Sequence, residues 1–212
     1  MAYPTISAPY GLVPVGLIGG RSYAGSTRQM RIASNYGTAI GKGDLVKRVN
    51  DGTIERDGST TALPATGTLG VFMGCQYTDP NTSQLTFNNQ YPGSIVASDI
   101  DAFIVDDPDI VLKAALCSSG TTMATVGRTA IGNKISIISN TLNTLNGSSK
   151  LALTSGSIAT TSTLPFQIID VVEDTKTGSD AFQEVLVIYS AHEDNGSNVS
   201  IGGHAYRNPV GL

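Results

Sequence analysis

No tryptophan occurs in this 212-residue chain, histidine and cysteine occur twice each, and charged residues make up only 14%. Each scarcity removes a class of function. Two cysteines, Cys75 and Cys117, supply neither a disulfide framework nor a thiolate metal site. Cys75 falls in an apolar strand pattern and reads as a small buried hydrophobe. A Ser/His/Asp hydrolase needs a base beside its nucleophile, and only His192 and His204 are available. No Gly-x-Ser-x-Gly elbow precedes either, and residues 192–196 (HEDNG) read as a solvated turn. Gly41-Lys42-Gly43-Asp44 lacks the spacing of a phosphate loop, and residues 16–20 lack the strand-turn-helix setting of a dinucleotide site. No enzyme activity, cofactor or resident metal is expected. No apolar run reaches transmembrane length, so no membrane partner is expected either. No basic residue precedes Arg21, and Pro4, Pro9 and Pro14 break the early apolar stretch. That pattern does not read as a secretory leader, and synthesis in a cytoplasm is the expectation.

What the chain holds instead is small and polar: 24 Gly, 21 Ser and 23 Thr beside 40% hydrophobic residues. Ser, Thr and Gly lose little side-chain entropy when ordered, which suits extensive protein–protein contact. The apolar content and recurring strand patterns argue against disorder. Residues 1–50 carry six basic residues (Arg21, Arg28, Arg31, Lys42, Lys47, Arg48) against Asp44 alone, a net +5. Residues 51–212 carry seven basic against sixteen acidic, a net −9. A basic first quarter on an acidic remainder is expected to meet an acidic surface. That surface is the chain's own body, a neighbouring copy or another protein. Nucleic acid is not expected as a partner, because the basic residues are spread thinly.

The first forty residues contain no Asp or Glu and four of the eight tyrosines, Tyr3, Tyr10, Tyr23 and Tyr36. Their prolines fix φ and push the preceding residues toward extended backbone. The pattern predicts an extended N-terminal arm over 1–43 on a β-rich body over 44–212. In that arm Tyr3, Tyr10, Tyr23, Arg21, Arg28, Arg31 and Tyr36 would bind a partner. The competing reading packs the segment on its own domain as strand and loop. Deleting the arm is expected to leave a soluble β-rich body.

From about residue 44 the signals are strands and turns. Residues 45–49 and 53–56 flank Asn50-Asp51-Gly52, a hairpin signal. Over 69–77 Leu69, Val71, Met73, Cys75 and Tyr77 alternate with Gly70, Phe72, Gly74 and Gln76. The second face is nearly bare, so another backbone can approach it. Residues 100–105 alternate similarly, and residues 166–172 and 185–189 are β-branched runs. Residues 110–116 fit a short helix capped by Asp109 or a strand equally well. The fold class is all-β, an antiparallel β-barrel or sandwich of roughly eight to ten strands.

Five carboxylates, Asp99, Asp101, Asp106, Asp107 and Asp109, fall within eleven residues. Their spacing matches no calcium loop, and the reading is a solvated turn. A structural cation site and a patch for a neighbour's Arg21, Arg28 and Arg31 are the alternatives. A dispersed hydrolase site built on these aspartates is the enzyme rival. Four Asn-x-Ser/Thr triplets, at Asn81, Asn146, Asn195 and Asn198, are expected by chance in so Ser- and Thr-rich a chain.

Residues 8–33, APYGLVPVGLIGGRSYAGSTRQMRIA, resemble the N-terminus of small structural head proteins of tailed phages, especially marine ones. The likeness continues through Gly43-Asp44-Leu45-Val46, the LGVFMGC strand of residues 69–75 and Asp106-Asp107-Pro108, and so spans about residues 8–110. The resemblance implies a capsid decoration (cement) protein of the virion. Its partners would be the major capsid protein and neighbouring copies of itself on the capsid surface. It implies no catalytic residues. A tail, collar or fibre component with a receptor- or glycan-binding role is the alternative, weakened by the absence of a tryptophan platform.

Overall fold

The computed structural model of the chain describes residues 5–58, 68–161, 164–190, 193–194, 200–201 and 204–207. Among the described residues the backbone forms strands and a few 3-10 turns, with no α-helix. The first quarter supplies β1 (Val13–Leu17), β2 (Arg21–Ser22), β3 (Arg28–Arg31) and β4 (Ile40–Gly41). There follow β5 (Leu45–Arg48), β6 (Ile54–Arg56), β7 (Gly70–Thr78), β8 (Leu85–Asn88), β9 (Gln90–Tyr91) and β10 (Asp101–Val105). Next come β11 (Ile110–Ser119), β12 (Thr122–Met123), β13 (Lys134–Ile135), β14 (Ile137–Ile138) and β15 (Ala152–Thr154). The chain continues through β16 (Phe166–Val171), β17 (Glu184–Tyr189), β18 (Glu193–Asp194) and β19 (Ser200–Ile201). The strands are more numerous than the sequence suggests, because many two-residue strands join the longer ones.

Two open sheets carry the fold, so the all-β expectation resolves to a sandwich and not a closed barrel. The larger sheet runs β13-β16-β17-β11-β1-β2, with β12 and β15 also on β11 and β14 on β15. The smaller runs β3-β10-β7-β5-β6, with β8 also on β7. β11 is the spine of the larger sheet. Its run of Ile110, Val111 and Leu112 takes the strand option over the helix because both of its faces are buried. The predicted hairpin at 45–56 is present, with Val46 across Arg56 and Arg48 across Ile54.

Side chains alternate across the smaller sheet and build two cores. Leu45, Val71 and Val105 face the larger sheet and pack with Leu112, Ala114, Ile168 and Val187. Their neighbours Val46, Phe72 and Ile104 face the other way and pack with Ile32, Ile40 and Tyr91. Each large apolar side chain so buried contributes about 1.5–3 kcal/mol.

One predicted alternation is corrected. Met73 packs with the inter-sheet core, as Val71 does, whereas Cys75 and Tyr77 pack with Phe72 in the other core. A β-bulge causes the switch: Phe103 pairs with Gly74 but Ile104 pairs with Phe72, so one residue is skipped. Gly74 holds φ +150° there, and a Cβ on it would sit 2.9 Å from the Asn88 carbonyl oxygen. A Cβ on Gly70 would meet the Val105 carbonyl oxygen at 2.2 Å. The bare face of this strand does admit close backbone approach.

The N-terminal segment is extended, yet from residue 9 it is built into the body and does not project from it. β1 pairs with β11, and β3 pairs with β10, so the segment joins both sheets. The physical reason is apolar burial, since Leu12, Ile32 and Ile40 are almost fully enclosed in the two cores. β2 covers only Gly16 and Leu17, which leaves Pro14 on the outer stretch of β1, where its missing N–H is tolerated.

Candidate interaction surface

The basic first quarter meets its acidic surface within the same chain. Arg31 Nε lies 3.1 Å from an Asp101 carboxylate oxygen, across the β3–β10 ladder that pairs these two residues. Arg28 Nε lies 3.0 Å from Asp106, which also accepts from the Tyr206 hydroxyl at 2.6 Å. The pairing that the sequence leaves open between copies is made internally for Arg28 and Arg31. Tyr206, absent from any sequence-based site, is fixed by this hydrogen bond and by the Arg28 guanidinium 5.4 Å from its ring centre. Burial and the Asp106 contact both hold its hydroxyl above the ordinary tyrosine range.

The tyrosines divide. Tyr10 donates its hydroxyl to Glu184, a carboxylate almost wholly enclosed, and its ring carries Lys113 Nζ 5.6 Å from the centre. Lys113 Nζ also reaches Glu184 at 3.5 Å. Burial first, and then the Glu184 contact, raise the Tyr10 hydroxyl far above its usual value. Tyr36 stacks on Tyr91 at 6.1 Å and accepts from the Arg56 backbone N–H at 3.2 Å. Both rings are therefore spent on the body. Tyr23 is half-buried and donates only to the Ser26 carbonyl at 3.2 Å. Tyr3 lies outside the described residues, as do His192, Asn195 and Asn198.

Tyr23 lines an open cleft of about 480 Å³ together with Ser26, Arg28, Asp106, Pro108 and Tyr206. Beside it the larger sheet ends at β2, where Arg21 is exposed. Val15 and Ile18, also exposed, flank the same edge. Of the expected partner-binding residues, Arg21 is exposed at this edge, whereas Tyr23 packs one side against the inter-sheet core and shares the cleft lining with Arg28.

The aspartate run does not converge. Asp99 accepts from the Thr78 backbone N–H and from its hydroxyl at 2.6 Å, and these bonds hold its carboxyl below the usual range. Asp107 accepts from the Asp109 N–H at 2.8 Å, which is turn chemistry. Among the described residues, no three or more His, Cys, Asp or Glu side chains are grouped to hold a metal ion. Both cysteines are buried and unbridged, and burial pushes the Cys75 thiol up to about 12.

Two features escape sequence reasoning. Asp44 is fully buried and accepts from Arg56 Nε at 3.1 Å and Nη2 at 3.2 Å, from Ser149 Oγ at 2.6 Å and from the Gly41 N–H at 2.8 Å. Arg56 also donates to the Asn140 carbonyl at 2.8 Å, so one ion pair ties three distant segments. The available signal was Asp44 standing alone among the basic residues of the first quarter. The second feature is β8, which among the described residues pairs only with β7 and leaves Leu85 and Phe87 59% and 67% exposed. No family model, curated protein or solved structure matches the chain.

Proposed function

We propose that the protein is a virion structural protein that binds the outside of a tailed-phage capsid shell and stabilises it across subunit junctions. What carries this reading is the coincidence of the resemblance segment with the outward-facing strip. Residues 8–33 hold Val15, Ile18, Arg21 and Tyr23, the exposed edge and cleft wall of the larger sheet. A decoration protein needs no turnover chemistry. It needs surface that loses water against the shell, so that separating subunits exposes that surface again. The major capsid protein is the partner this role requires. Since Arg28 and Arg31 are already paired within the chain, attachment is expected to depend only weakly on salt.

Co-sedimentation of the purified protein with shells that lack it, over a range of salt, tests this. Saturable binding that raises the heat resistance of the shells, lost in Tyr23→Ala, is the expected result. No binding at any salt turns the reading to the tail, collar or fibre alternative. One observation favours that alternative: Tyr23 and Tyr206 share the cleft with Asp106 and Asp107, a combination that suits a glycan.

A further inference from the structure

We infer that β8 is a self-association edge, through which two copies of this chain join their smaller sheets antiparallel about a two-fold axis. The inference stands apart from the capsid reading and uses a different surface from the β1–β2 edge. A sheet edge offers unpaired N–H and C=O groups and recruits another strand unless charge, proline or a covering element blocks it. β8 carries none of these blocks. It hydrogen-bonds to β7 on one side, and no other strand pairs with it among the described residues. Residues 80–98, which contain it, include no Asp, Glu, Lys, Arg or His, although Asp79 and Asp99 bound them.

The charge pattern and the alternation together choose the occupant. An uncharged strand laid antiparallel on a copy of itself meets no like-charge penalty. Leu85 and Phe87 lie two residues apart on one face, and both are more than half exposed. If Thr86 is placed across Thr86 of the second copy, each Leu85 falls across the other copy's Phe87. The four apolar side chains then form one cluster, and the threonines form a cross-strand pair on the opposite face. The contact is isologous and closes at two copies. Val96, 64% exposed, shares a groove with Thr78, the residue paired to Leu85, and extends the apolar surface at its end. The joined sheet would run without a break through β10-β7-β8 of one copy into β8-β7-β10 of the next.

The test is sedimentation equilibrium of the full chain across the micromolar range, without shells, for the parent, Leu85→Lys, Phe87→Lys and the conservative Phe87→Leu. The parent and Phe87→Leu are expected to show a concentration-dependent dimer. Each lysine variant should weaken it by about tenfold or more, with unchanged circular dichroism and melting. A parent that stays monomeric at every concentration overturns the inference, as does a dimer of undiminished strength in both lysine variants. Dimerisation without shell binding would sink the capsid reading and leave this one standing.

Discussion

The first quarter of the chain and the stretch from 80 to 98 make opposite use of their composition. The first quarter is basic and rich in tyrosine, and it spends most of those groups inward: Arg28 on Asp106, Arg31 on Asp101, Tyr10 on Glu184 and Tyr36 on Tyr91. The second stretch has no charge, and it places Leu85, Phe87 and Val96 in solvent. Charge asymmetry along this sequence therefore reports contacts the chain makes with itself. The candidate surface for another copy lies where charge is absent, because desolvating a charge is costly and desolvating Leu or Phe is favourable.

The contrast can be broken most severely at the buried ion pair. Arg56→Ala leaves Asp44 enclosed without its guanidinium partner, and unfolding in urea should show a loss of about 3–5 kcal/mol. Tyr10→Phe removes the hydroxyl that serves the enclosed Glu184 carboxylate, and the same measurement should show about 1–3 kcal/mol. Asp99 sharpens the picture through pH. Its carboxyl is held below the ordinary value of about 4, so its contribution is present above that pH and is lost as pH falls through the folded value. Thr78→Val should therefore melt below the parent at neutral pH, and the gap should close on acidification. Arg28→Ala and Arg31→Ala, with both arginine side chains more than half exposed, should each cost under about 1 kcal/mol. Phe87→Lys should leave the stability of the single chain within about 0.5 kcal/mol of the parent, since the ring contributes outward contact and little core.

Much of the sandwich was legible because its strands announce themselves locally. The 45–56 hairpin follows from Asp51-Gly52 between β-branched runs, and the burial of Cys75 follows from its apolar neighbours. The fate of residues 1–43 was not legible. Proline and tyrosine spacing predicts extended backbone correctly, but nothing local distinguishes a strand added to a neighbour from one added to the chain's own sheet. That choice rests on Leu12, Ile32 and Ile40 finding the cores of residues far along the chain. The bulge at Gly74 was hidden for a similar reason, since it depends on the register of β10 rather than on β7 itself. Arg28, Arg31, Tyr10 and Tyr36 were expected to bind a partner, and each has a contact within the chain instead, with Asp106, Asp101, Glu184 and Tyr91, which no local pattern announces. Tyr206 and Ser149 gave no signal, because their partners, Asp106 and Asp44, lie about a hundred residues earlier.

The central structural claim is that the first quarter belongs to the fold, and a chain lacking residues 1–43 tests it most directly. Without β1, β3 and the buried Leu12, Ile32 and Ile40, the remainder is predicted to lose its cooperative thermal transition by circular dichroism. A soluble, β-rich remainder that melts cooperatively near the parent's temperature would contradict the account and restore the separate arm.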